Sequence, residues 1–129
     1  MRIFAIKRFH AWAKGHELTD ALLRRAVEEI AQGNVEANLG GHLYKKRIAT
    51  KGRGKSGSVR TLVAYSAKQR TFFLYAFEKN DQSNITPREK IALQELGKFY
   101  LGLTDKELTL RLKNRAIIEV KEEGSEHGR

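Results

Sequence analysis

ANLGGHLYKKRIATKGRGKSGSVRTLVAYSAKQRTFFLYAF, residues 37–77, is the stretch on which the reading of the fold turns. His42 to Ala49 reads as one strand. Val59 to Tyr65 is rich in β-branched and aromatic residues and reads as a second, and the aromatic run Thr71 to Phe77 reads as a third. The connections are polar: Thr50 to Gly57, with three glycines, and Ser66 to Arg70. Strands this close in sequence pair most simply as an antiparallel meander.

The same stretch carries the charge. The 129 residues include 25 Lys and Arg against 15 Asp and Glu, a net of +10. Nine of the basic residues (Lys45, Lys46, Arg47, Lys51, Arg53, Lys55, Arg60, Lys68 and Arg70) lie between Ala37 and Phe77, with no acid among them. Elsewhere 16 basic and 15 acidic residues nearly cancel, so almost the whole excess sits in one third of the chain. Such a surplus calls for a polyanionic partner such as nucleic acid, the ribosome or an anionic membrane.

Helices flank this centre. Arg2 to Ile6 reads as a short first strand and Lys7 to Lys14 as a short helix stopped at Gly15. Thr19 is a good N-cap for a helix carrying Leu22, Leu23, Ala26, Val27 and Ile30 at helical spacing, with Leu18 able to staple to Leu23 and Gly33 as the stop. Thr86-Pro87-Arg88-Glu89 combines an N-cap, a first-turn proline and a capping box. The helix it opens has Leu93, Leu96, Phe99, Tyr100 and Leu103 as its expected buried stripe. A second capping box, Thr104 to Glu107, precedes Leu108 and Leu112; Ala116 to Val120 reads as a last strand, and 121–129 as a polar, mobile tail.

Several chemistries are disfavoured. The chain has no cysteine, hence no disulfide and no thiolate metal site. His10, His16, His42 and His127 show no metal-ligand spacing, and no Ser-His-Asp or paired-carboxylate arrangement stands out. No metal or cofactor is therefore expected. Residues 1–9, broken by Arg2, Lys7 and Arg8, do not read as a signal peptide, and no apolar run would cross a bilayer; a cytoplasmic location is expected. Gly54-Lys55-Ser56 resembles the end of a phosphate-binding P-loop, but position 49 is Ala and a strand, not a helix, follows. The loop reads instead as a basic, glycine-rich segment whose amides, Lys51, Arg53 and Lys55 touch phosphates.

Lys45 and Arg47 are two apart on a strand and share a face, where the plainer reading is a lysine-guarded sheet edge. Arg60, in an otherwise apolar run beside Leu62 and Ala64, must either pair with a carboxylate, such as Glu78 or Glu119, or serve a site. A guanidinium suits a bidentate grip on phosphate. Lys79 closes the third strand.

Lys45-Lys46-Arg47-Ile48-Ala49, Gly52 to Gly57, Arg60-Thr61-Leu62, Phe72 to Asn80, Asn84-Ile85 and Ile118-Glu119-Val120, taken in order and spacing over roughly residues 1–120, are similar to the RelE-like branch of the RelE/ParE/HigB toxins of type II toxin–antitoxin systems. The resemblance implies one α+β domain over 1–120: an N-terminal helix pair packed on a small, mostly antiparallel curved sheet, with extra C-terminal helices. It implies an mRNA interferase, a metal-independent endoribonuclease that enters the ribosomal A site, uses the RNA 2′-hydroxyl as nucleophile and so inhibits translation. Carried over residue by residue, Lys45 and Arg47 position RNA, with base activation possible for Lys45. Arg60 contacts the scissile phosphate, and Lys79 acts as general acid or charge stabiliser. Lys46, Lys51, Arg53 and Lys55 bind RNA. The tyrosine that many such nucleases stack on a base near the C-terminus has no counterpart here, since Tyr100 reads as core. The implied partners are mRNA, the ribosome and a cognate antitoxin carrying a helix-turn-helix domain. A gyrase-inhibiting toxin of the same fold and a non-catalytic RNA- or ribosome-binding protein are the alternative readings.

Overall fold

A computed structural model describes residues 1–50 and 58–122. The expected basic loop, with Lys51, Arg53 and Lys55, lies outside the described residues, as does most of the expected tail. The elements run β1 (Arg2–Ile6), α1 (Lys7–Lys14), α2 (Asp20–Ala31), β2 (Ala37–Gly40), β3 (Leu43–Ala49), β4 (Ser58–Tyr65), β5 (Arg70–Glu78), α3 (Pro87–Leu101), α4 (Asp105–Lys113) and β6 (Ile117–Glu119). The α+β class holds, and β3, β4 and β5 form the expected meander: both of its pairings are antiparallel.

The strands make one open sheet in the order β2-β3-β4-β5-β1-β6. The helix pair does not head the chain, because β1 precedes it, and β1 is no edge strand. It lies parallel to β5 on one side and antiparallel to β6 on the other. Ile3, Phe4 and Ala5 are all buried, so both faces of this strand are apolar and both are covered. Strand β2 was not expected. Asn38 and Gly40 are poor strand formers, and the segment is ordered by pairing with β3 rather than by its own propensity.

Helices cover both faces of the sheet. On one, Phe9 and Ala13 of α1 and Leu23, Ala26, Val27 and Ile30 of α2 pack with Ile3, Ala5, Ile48, Val59, Val63 and Phe73. On the other, Leu93 of α3 and Leu108 of α4 pack with Phe4, Leu43, Leu62, Ala64, Phe72 and Ile117. Successive residues of the inner strands thus feed opposite cores, as the pleat requires, except at Leu74 and Tyr75 of β5. Thr19 caps α2 by accepting from the Leu22 amide, and both C-terminal capping boxes form. Hydrogen bonding to the Thr104 backbone and hydroxyl holds the Glu107 carboxyl below its ordinary pKa.

The stripe of α3 differs from expectation at two positions: Leu103 is buried but lies beyond the end of the helix, and Phe99 is not covered by the sheet. Phe99 is 48% exposed and lies under the Arg111 guanidinium, 4.9 Å from its ring centroid. The residue that seats the helix is Gly97, which is buried. A Cβ added there would stand 3.0 Å from the Ala64 Cβ and 3.6 Å from Leu74 Cδ1, so the lack of a side chain lets α3 approach β4 and β5. Tyr100 packs as core, with its ring centroid 5.2 Å from that of Phe72. Replacing Gly97 by Leu is expected to lower unfolding stability by about 1–3 kcal/mol through overpacking, despite the better helix propensity of Leu. A fall in the urea midpoint tests this; an unchanged or higher midpoint would show that α3 can lift off without cost.

Candidate nucleic-acid interface

Register decides which basic residues meet. Between β3 and β4, Lys45 lies opposite Leu62 and Arg47 opposite Arg60. Between β4 and β5, Leu62 lies opposite Tyr75 and Arg60 opposite Phe77. Cross-strand partners point to the same face. The sheet therefore carries two adjacent rows, Lys45–Leu62–Tyr75 and Arg47–Arg60–Phe77, on the side packed by α3 and α4. The tight α3 contact is at Ala64, toward the other end of β4.

A bulge makes this possible. The register shifts between Leu62 and Val63, which pair with Tyr75 and Phe73 and leave Leu74 as the extra residue. Leu74 and Tyr75 both join the α3-side core, after which Ala76 faces α1 and α2, and Phe77 faces α3. Without the extra residue, Tyr75 and Phe77 would turn to the opposite face.

The segment between β5 and α3 borders the rows. The Lys45 Nζ donates to Asn84 Oδ1 at 3.2 Å. The Tyr75 hydroxyl donates to Gln82 Oε1 at 2.9 Å, and Gln82 Nε2 donates to the Asn84 carbonyl at 2.8 Å. Arg47 is exposed, and its Nε donates to Ser58 Oγ at 3.1 Å. Lys79 is exposed in the turn after Glu78, two residues beyond Phe77, and extends the same end of the sheet. Lys45, Arg47 and Arg60 thus share one face of the sheet, and Lys79 lies in the turn that follows β5.

Arg60 has a carboxylate partner, though neither of those suggested by the sequence. Glu119 pairs with Arg2, and Glu78 lies 3.8 Å from the His16 Nε2. The Arg60 Nε instead meets Glu36 Oε1 at 3.0 Å, with the arginine side chain only 12% exposed. Glu36 is the last acid before the acid-free stretch begins, a boundary visible in the sequence but without apparent meaning there.

Lys46 does not belong to this surface. Strand alternation sends it to the α2 side, where it is 4% exposed. Its Nζ meets Glu29 Oε1 at 2.7 Å and donates to the Asn34 carbonyl at 2.9 Å. Two adjacent lysines, alike in sequence, thus do different work: Lys46 ties α2 and the chain leaving it to β3.

The chain matches the family described as "RelE toxin of RelE / RelB toxin-antitoxin system" over residues 1–120. It belongs to the RelE toxin family, which makes it the toxin of a toxin–antitoxin system with a cognate antitoxin as partner. No curated protein and no solved structure gives a significant match. Among the described residues, no helix is long and apolar enough to cross a membrane.

The split between the neighbouring lysines is measurable. Lys46→Ala is expected to cost about 1–3 kcal/mol, because it removes a buried charge-assisted bond and strands its acceptors. Lys45→Ala should stay within about 0.5 kcal/mol, as an ordinary surface change. Equal urea midpoints for the two variants would contradict the assignment of Lys46 to the interior.

Proposed function

We propose that this toxin is an mRNA interferase: a metal-independent endoribonuclease that cuts messenger RNA, in the ribosomal A site, and so inhibits translation in the cytoplasm. The observation that carries the reading is the row Arg47–Arg60–Phe77 beside Lys45, two guanidiniums and an ammonium on one sheet face within a family of toxins. RNA supplies its own nucleophile. The 2′-hydroxyl attacks the adjacent phosphorus, the 5′-oxygen leaves, and a 2′,3′-cyclic phosphate and a 5′-hydroxyl result. The protein must take a proton from the 2′-hydroxyl, deliver one to the leaving oxygen and stabilise charge on the phosphorane.

Arg60 is the proposed contact to the scissile phosphate, since its planar fork matches two phosphate oxygens. Arg47, exposed beside it, positions the strand. Lys45 positions RNA and assists removal of the 2′-proton. Lys79, in the turn after β5, supplies a proton or positive charge to the leaving oxygen. Lys51, Arg53 and Lys55 remain proposed phosphate contacts. Lys46 is left out of the interface, because its ammonium is buried against Glu29.

The deciding experiment maps RNA 5′ ends after induction of the wild type and of Arg60→Ala. New ends within coding regions, dependent on Arg60, are expected together with growth arrest. Loss of one such charge-stabilising group should slow cleavage about 100-fold or more. Arrest with intact mRNA and gyrase-linked DNA breaks would refute the nuclease reading in favour of a gyrase-directed toxin. Salt-dependent RNA binding with neither arrest nor cleavage would reduce the site to a binding surface.

A further inference from the structure

Arg47 and Arg60 stand directly opposite each other on neighbouring strands, with Lys45 on the same face. Like charges so placed repel, and a guanidinium that is only 12% exposed needs a partner to justify its desolvation. Glu36 supplies that partner through its 3.0 Å contact to the Arg60 Nε. Glu36 is anchored in turn, because its backbone amide donates to the Lys45 carbonyl at 2.8 Å. The carboxylate therefore hangs from the strand that bears Lys45 and Arg47 and reaches the arginine on the next.

We propose that Glu36 is a positioning residue for the RNA-cutting reaction: it fixes the Arg60 guanidinium by its Nε edge and so sets the direction in which the terminal amino groups meet the phosphate. The guanidinium is a rigid plane, so holding one edge orients the other. An ion pair whose nearest nitrogen is Nε leaves the two terminal amino groups for a bidentate phosphate. It also offsets one of three clustered positive charges while the site holds no RNA. This inference rests on the nuclease reading for its consequence, but the clamp itself is a property of the folded chain.

Two measurements separate the two. In the intact protein, the Arg60 Hε resonance, assigned by its loss in Arg60→Ala, should be slow to exchange with water. It should become fast in Glu36→Ala and intermediate in Glu36→Gln, whose amide oxygen can still accept. In single-turnover cleavage of mRNA on programmed ribosomes, Glu36→Ala should lower the maximal rate by about 100-fold, the scale of a small misplacement of a reacting group. KM should be unchanged or lower, and Glu36→Gln should restore part of the rate. In an Arg60→Ala background, Glu36→Ala should cost nothing further, because it acts through the arginine.

A fast-exchanging Hε in the wild type would overturn the clamp. An unchanged rate in Glu36→Ala, even with a lowered melting temperature, would make Glu36 merely structural. An additive loss in the double variant would mean that the carboxylate acts on the reaction by itself, and would equally overturn the proposal. If the wild type cuts no RNA on or off the ribosome, the nuclease reading fails, while the Hε signal still decides whether Glu36 holds Arg60.

Discussion

The arrangement depends on the register of β3, β4 and β5, and on the one extra residue in β5 that changes it. Side chains alternate along a strand, so a shift of one position exchanges the two faces completely. The pairings Arg47–Arg60 and Arg60–Phe77 put groups from three separate stretches of the chain side by side. The bulge at Leu74 then assigns Tyr75 and Phe77 to the face that carries them, while keeping Phe72 and Phe73 in their respective cores. Core packing and the candidate site thus draw on the same register, and a slip that damaged one would damage the other.

The sheet bears this arrangement because it is covered on both sides. Inner strands with two apolar faces need a helical layer on each, and the chain provides one from its N-terminal third and one from its C-terminal third. Gly97 allows the second layer to sit close over Ala64. The charged residues on and beside these strands meet different surroundings and are stabilised in different ways. Lys46 is spent in an ion pair that joins layers. Arg60 is held by a carboxylate from a segment just outside the sheet. Arg47 and Lys79 stay exposed. A functional surface made from residues of one charge carries a cost in repulsion, and Glu36 is the group that offsets part of it.

Much of this was legible in the residues. The meander, the two N-terminal helices, the two capping boxes and the last strand follow from local patterns, because capping and alternation are properties of neighbouring residues. The pairing of Lys45 with Arg47 on one face follows from alternation alone. The parallel insertion of β1 did not, because its buried run is equally compatible with an edge or a centre. Strand β2 did not, because its order is borrowed from β3. The exposed position of Phe99 escaped a reading by hydrophobic stripe, since an arginine from the next helix covers the ring.

By itself, the sequence determined the class of the fold, the concentration of positive charge in one third of the chain, and the family resemblance that the match over residues 1–120 bears out. Only the tertiary structure decided which of those charges meet. Lys45 and Lys46 are neighbours of one type, yet alternation on a covered sheet sends the first to the rim of the candidate site and the second into the interior. Arg60 needed a partner by its own burial, but that the partner is Glu36 depends on β3 lying between the two segments. Local sequence sets propensity and periodicity over a few residues, whereas contacts across a sheet depend on register, and register is set by the packing of the whole molecule.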